Sequence, residues 1–294
     1  MTQPDSVQWW RVTPFFLLHA AVGLVAVVGW SPAAIVVALL TYAVRVFALT
    51  AFYHRYFSHR TFRTSRLVQF LGAFIGAMAT QRGPIWWAAH HRHHHRASDT
   101  PDDIHSPKQQ GFAWSHMLWF MTRSGYRTDP RMVKDWLKFP ELRWLDRWDW
   151  FAPVVLAVGL FLLGEAIRGL LPTTNTSGWQ LVVWGYVVST IAVYHVTFSI
   201  NSLAHRFGSR RYPTRDDSRN NWWLALLTFG EGWHNNHHYF PNSARQGFRW
   251  WEIDLTFYIL CVMSWLGLVW DLKPVPSHVV RPDARQLEPG AGVG

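Results

Sequence analysis

The sequence predicts an all-α integral membrane protein with four transmembrane helices and a cytoplasmic helical cap. Three observations carry this. About half of the 294 residues are apolar (49%) and only 16% are charged, which excludes a disordered or fibrous chain. Four apolar stretches are each about as long as the ~20 residues that cross a ~30 Å hydrocarbon core. The 28 Lys and Arg, against 18 Asp and Glu, gather between those stretches rather than within them. The 20 Trp suit the same setting, because an indole ring places one edge in lipid and the other in water. A mean hydropathy of −0.02 requires a polar part of comparable size.

In chain order, the first span is expected at about 14–30 and the second at 33–53, joined by Gly29-Trp30-Ser31-Pro32 as a tight antiparallel hairpin. The third is expected at 150–171 and the fourth at 179–200, joined by a polar turn from Pro172 to Gly178. Residues 54–149 and 201–272 then form the cap. They hold nearly all the basic residues: fifteen in 54–149 and seven in 206–249, with three more after 270. The positive-inside rule places both termini and the cap in the cytoplasm. Residues 67–80 are too short to span and are read as a buried or interfacial helix. Residues 253–270 are read as an interfacial helix, because a fifth span would carry Lys273, Arg281 and Arg285 outside. Residues 1–272 make one domain, and 273–294, rich in Pro and Gly, are expected to be disordered. Arg45 lies well inside the second span and is expected to snorkel. Glu165 and Arg168 read as a solvated pair at the outer face.

Sixteen histidines need a chemical reason. His54 and His59 flank the cytoplasmic end of the second span. On an α-helix a spacing of five puts them about 140° apart, so one is expected just past the helix end. His91, His94 and His95 form an HxxHH pattern, which His234, His237 and His238 repeat. Positions i, i+3 and i+4 share one helix face, so three imidazoles converge. Asn201 and His205, at i and i+4, sit where the fourth span leaves the membrane. Imidazole is the commonest metal ligand, and nine convergent nitrogens exceed what one four-coordinate zinc uses. They match two metals. A lone membrane-edge histidine is more often a polar interfacial group than a ligand. His19 is read as a packed polar group in the first span and His195 as facing the bundle interior, His105, His116 and His278 have no partner pattern, and His90 and His93 lie off the shared face, where roles behind the ligands or at the surface are expected. The single cysteine, Cys261, excludes a disulfide framework or a zinc ribbon within the chain.

These motifs resemble the three histidine boxes of the membrane fatty acyl desaturase family. The string from Gly230 to Pro241, with Glu231-Gly232-Trp233-His234-Asn235-Asn236-His237-His238 inside it, is similar to the third box of the Δ9 acyl-CoA (stearoyl-CoA-like) branch, and so is the element Asn201-Ser202-Leu203-Ala204-His205. The resemblance covers roughly residues 30–260. It implies that His54, His59, His91, His94, His95, His205, His234, His237 and His238 ligate two iron ions, with Asn201 acting through water. It also implies an O2-dependent cis desaturation, at Δ9, of a saturated acyl-CoA. The second box departs from the family in its extra His90 and His93, which leaves its register open.

Electrons must come from outside, since the chain has no dinucleotide fingerprint, haem motif or four-cysteine cluster site. A ferredoxin, rubredoxin or cytochrome b5-type donor with an NAD(P)H reductase is therefore expected, with Arg210, Arg211 and Arg215 as a basic docking face. The acyl chain needs an apolar tunnel, for which Trp86, Trp87, Trp114 and Trp119 are the candidate lining residues. A hydroxylase or an oxidative decarboxylase on the same scaffold, or an acyl-lipid carrier, remain alternatives. A metal transporter is disfavoured because the histidines lie at the span ends, not at the midplane. Nucleic acid binding has only the net charge of +10 behind it.

Overall fold

The computed structural model describes residues 5–280. Among the described residues, four helical segments are long and apolar enough to cross a membrane: Trp9–Val28, Pro32–Ser58, Phe151–Leu170 and Gly178–Ser202. These are the four expected spans, with two changed boundaries. The first begins at Trp9, since the exposed rings of Trp9 and Trp10 extend the helix to the membrane edge. The second runs five residues further than expected, to Ser58. Its start is set by Ser31, whose hydroxyl accepts from the Ala34 N–H at 3.1 Å, with Pro32 in the first turn where its missing N–H is harmless.

Over Leu49–Ser58 the second span becomes a π-helix, and all ten residues of it are buried. A π-helix bonds i to i+5 and is frequent at functional sites. The His59 N–H donates to the His54 carbonyl at 3.2 Å, so the two imidazoles of the first box meet edge to face, 4.9 Å between ring centroids, instead of standing about 140° apart.

The Arg66–Ala77 helix turns the chain back along this segment. Its Gly72 backs onto the Phe52 ring and its Gly76 onto the Tyr53 ring, and past its end the Met78 carbonyl reaches Arg45. The helix therefore runs antiparallel to the second span, toward that span's middle. Gln69, Gly72, Ala73, Gly76 and Ala77 are buried, while Leu67 and Leu71 stay exposed on the outer side. The Pro84–Ala97 helix returns from the turn, and Phe57, Trp136, Leu142 and Leu145 extend the core into the cap.

The Leu255–Trp265 helix has 11 residues, about 16 Å, and is too short to span. A two-stranded antiparallel ribbon pairs Arg63–Thr64 with Val269–Trp270. Residues 273–280 depart from the expected disorder: the Lys273 N–H donates to the Thr61 carbonyl, Val279 is fully buried, and its carbonyl accepts from the Tyr212 hydroxyl at 2.9 Å. An apolar valine in a Pro-rich stretch is enough to anchor it. The remaining expected tail, 281–294, lies outside the described residues. Arg45 does not snorkel: it is 1% exposed and fully hydrogen-bonded inside the bundle. Arg168 and Glu165 do pair, at 2.6 Å, and Glu165 also accepts from the Gly178 N–H across the hairpin.

Candidate metal centre

The nine expected histidines gather at the cap-side ends of spans two and four and divide into two adjoining groups. His54, His59, His91, His95 and His237 form one, and His94, His205, His234 and His238 the other, with the ligand atoms of each within 4.8 Å of one another. The HxxHH boxes are shared between the groups. His91 and His95, a full turn apart, serve the first while His94 serves the second, and in the third box His234 and His238 serve the second while His237 serves the first.

Local structure fixes these directions. The Pro84–Ala97 helix starts on Pro84, and its Trp86 N–H donates to Asp146 Oδ1 at 2.8 Å. Arg92, between the boxed histidines, donates to the Phe57 and Ser58 carbonyls and to Asp135, tying the second box to the end of the π-helix. The third box sits on the six-residue His234–Tyr239 helix, too short to hold itself. Asn235 accepts from the Arg211 and Tyr212 N–H groups at 2.8 Å each, and the Asn236 amide donates to the Gln246 carbonyl and Glu252. Gly232 lies against the Ala225 N and Asn221 O, where a Cβ would overlap both.

The donor set fits metal ions. Within the first group the Nε2 atoms of His54 and His237 are 3.0 Å apart, those of His59 and His91 2.8 Å, and those of His95 and His237 2.8 Å; in the second, His205 and His234 are 3.0 Å apart. Imidazoles at right angles on one metal, with bonds of about 2.1 Å, stand about 3 Å apart. His238 Nε2 is buried without a hydrogen-bond partner. Behind the rings stand carboxylates on Nδ1: Glu231 at 2.5 Å from His54, Asp103 at 3.0 Å from His94, Asp99 at 2.8 Å from His205 and Asp216 at 2.7 Å from His238. Such partners fix the tautomer and leave Nε2 free for a metal. Burial pushes His59, His91, His95, His234 and His237 well below the usual imidazole pKa, so these rings are neutral, as ligands must be. At His94 burial acts the same way but is outweighed by Asp103, and its pKa rises.

Beside the two groups lies a cavity of about 280 Å³ lined by Trp86, Trp87 and Trp119, by Phe15, Phe120 and Phe198, and by Asn201. Three of the four expected tryptophans are therefore on its wall. Trp114 is not: its Nε1–H donates to the Ile104 carbonyl at 2.8 Å, which turns the ring into the cap loop. Asn201 shares the wall with His94 and His234. His105, without a partner pattern in the sequence, and His90, off the shared face of the second box, also line it, and the His105 ring lies tilted 4.4 Å from the His94 ring beside Asp103. Of the basic trio, Arg211 pairs with Glu252 and Arg210 donates to the Asp216 carbonyl, while Arg210 and Arg215 are both exposed.

Residues 29–261 match the family model described as Fatty acid desaturase. The chain belongs to the fatty acid desaturase family. It is 40% identical to an sn-1 stearoyl-lipid 9-desaturase of Anabaena variabilis over 90% of this chain and 93% of that one. It is 38% identical to an acyl-CoA 5-desaturase of Anemone leveillei over 82% of this chain and 72% of that one. A stearoyl-lipid 9-desaturase of Synechocystis is 36% identical over 96% of this chain and 86% of its own. As a fatty acid desaturase this chain is an oxidoreductase with membrane helices and histidine clusters able to hold metal.

Proposed function

We propose that this desaturase inserts a cis double bond at Δ9 of a saturated acyl chain, using O2, two irons and electrons from an external donor. The observation that carries the reading is the placement of two polyhistidine groups, five and four imidazoles, beside a largely aromatic cavity, with His54 and His91 of the one and His94 and His234 of the other on its wall. What a bound pair of irons supplies is the O2-derived oxidant that an unactivated methylene demands and no side chain provides. The chain's own residues do the rest. His54, His59, His91, His95 and His237 would hold one ion and His94, His205, His234 and His238 the other, with Asn201 beside the second through water. Glu231, Asp99, Asp103 and Asp216 fix the tautomer and orientation of the rings, turning Nε2 toward the metals. Trp86, Trp87 and Trp119 exclude water and grip the chain. The cap faces the cytoplasm, where an acidic ferredoxin, rubredoxin or cytochrome b5-type protein meets its basic residues, Arg215 among them.

A CoA thioester is the carrier expected from the third box. A second reading, an acyl chain esterified to a membrane lipid, is favoured by the cavity mouth. Arg11, Pro14 and Trp150 line it at the ends of spans one and three, and Trp9, Trp10 and Trp148, next to them in sequence, are exposed. Exposed tryptophans at span ends belong at headgroup level, where lipid chains arrive sideways. The test supplies stearoyl-CoA in detergent and stearoyl phospholipid in vesicles to the iron-loaded protein with O2 and a reducing system. An oleoyl product from either supports desaturation and identifies the carrier; a hydroxylated or shortened product moves the chain to a sister activity.

A further inference from the structure

Arg45 is a fully buried cation for which the metal chemistry has no use. It contributes all five N–H donors to neutral acceptors: Nε to the Thr41 carbonyl at 3.0 Å, Nη1 to Thr190 Oγ1 at 2.6 Å and the Met78 carbonyl at 3.3 Å, and Nη2 to Ser189 Oγ and the Gly185 carbonyl. With no donor to spare it takes no ligand. It instead ties together span two, span four and the turn after the Arg66–Ala77 helix.

That knot lies where the cavity closes. The mouth residues Pro14 and Trp150 are exposed, whereas Leu49, Thr50 and Tyr194 at the other end are buried. Arg45 precedes Leu49 by four residues on span two, about 6 Å deeper, and Thr190 precedes Tyr194 by four on span four. Between the knot and the cavity stand Tyr194, 4% exposed, and Thr80, whose carbonyl accepts from the Tyr194 hydroxyl at 2.8 Å. Thr80 has φ 60°, a left-handed conformation that a β-branched residue adopts only under strain. The surroundings hold it there.

We propose that Thr80 and Tyr194, positioned by Arg45, form the floor on which the methyl end of the acyl chain rests, and so set the longest chain this desaturase accepts. This rests on the reading of the cavity as an acyl site. Membranes containing the full-length protein receive reductant, O2 and an equimolar mixture of saturated chains graded from myristoyl to behenoyl, as CoA thioesters and as phospholipids, and the alkenes are separated by length. Tyr194→Ala and Thr80→Gly are expected to raise the ratio of longer to shorter products by about fourfold for each methylene the deepened floor admits. The double bond, counted from the carboxyl end, stays in place. Thr80→Gly also relieves the positive φ, so it is expected to fold at least as well as the parent. Arg45→Met keeps the bulk but frees the floor, and is expected to broaden the length profile. A loss of total product with an unchanged length profile would mean that these residues only hold the fold, and would overturn the floor alone. No alkene from the parent protein at any length would overturn both the floor and the acyl reading.

Discussion

At the level of single residues, the carboxylates behind the rings carry as much of the site as the rings do. Removing His237, which stands within 3.0 Å of both His54 and His95, is expected to empty the first group, so that His237→Ala retains about half the iron and loses desaturation. His278→Ala should match the parent in both respects. Asp99→Asn and Asp216→Asn leave every ligand in place but remove the charge that orients His205 and His238. Iron affinity should then fall about 10–100-fold, measured by competition with a chelator of known affinity. An unchanged affinity would make these carboxylates structural only. The ligands were legible in the sequence because helical spacing brings i, i+3 and i+4 together. Asp99, Asp103 and Asp216 were not, because they lie on turns with no period, although two of them follow the second box by four and eight residues. Trp114 departs from expectation because its hydrogen bond to Ile104 leaves no trace in sequence.

Among elements, the π-helix decides the site. An α-helix over Leu49–Ser58 would point His54 and His59 apart, and the sequence offers no sign that the turn widens there. What holds the widened turn is side-chain burial. Arg55 inside it pairs with Glu231 and Asp254 at 3.0 and 2.9 Å, with all three side chains at most 3% exposed. Cutting one partner from a buried network of this kind costs about 3–5 kcal/mol, so Arg55→Ala is expected to lower the thermal midpoint and release iron together. The neighbouring Arg66–Ala77 helix depends on close approach. A Cβ on Gly76 would overlap the Tyr53 ring, so Gly76→Val should cost about 1–3 kcal/mol, read as a lower midpoint in detergent. A Gly76→Val protein as stable as the parent would show that this helix packs elsewhere. Span number and order were legible from apolar length alone. The reach of span two to Ser58 was not, because its last residues are polar and are buried by the cap rather than by lipid.

For the whole molecule, the metals and the membrane are coupled. The ligands come from the ends of spans two and four and from two cap helices, so ions bound there would join parts distant in sequence. Chelation is expected to lower the thermal midpoint of the purified protein and iron to restore it, since binding to the folded state adds to its stability. The most direct test of a two-iron desaturase is metal content and product identity on one detergent-purified, iron-reconstituted sample. About two irons per chain, with stearoyl substrate converted to oleoyl product in the presence of O2 and reductant, is the predicted result. A reconstituted protein that holds no iron, or holds two and leaves a saturated chain untouched while its reductant is consumed, would contradict it.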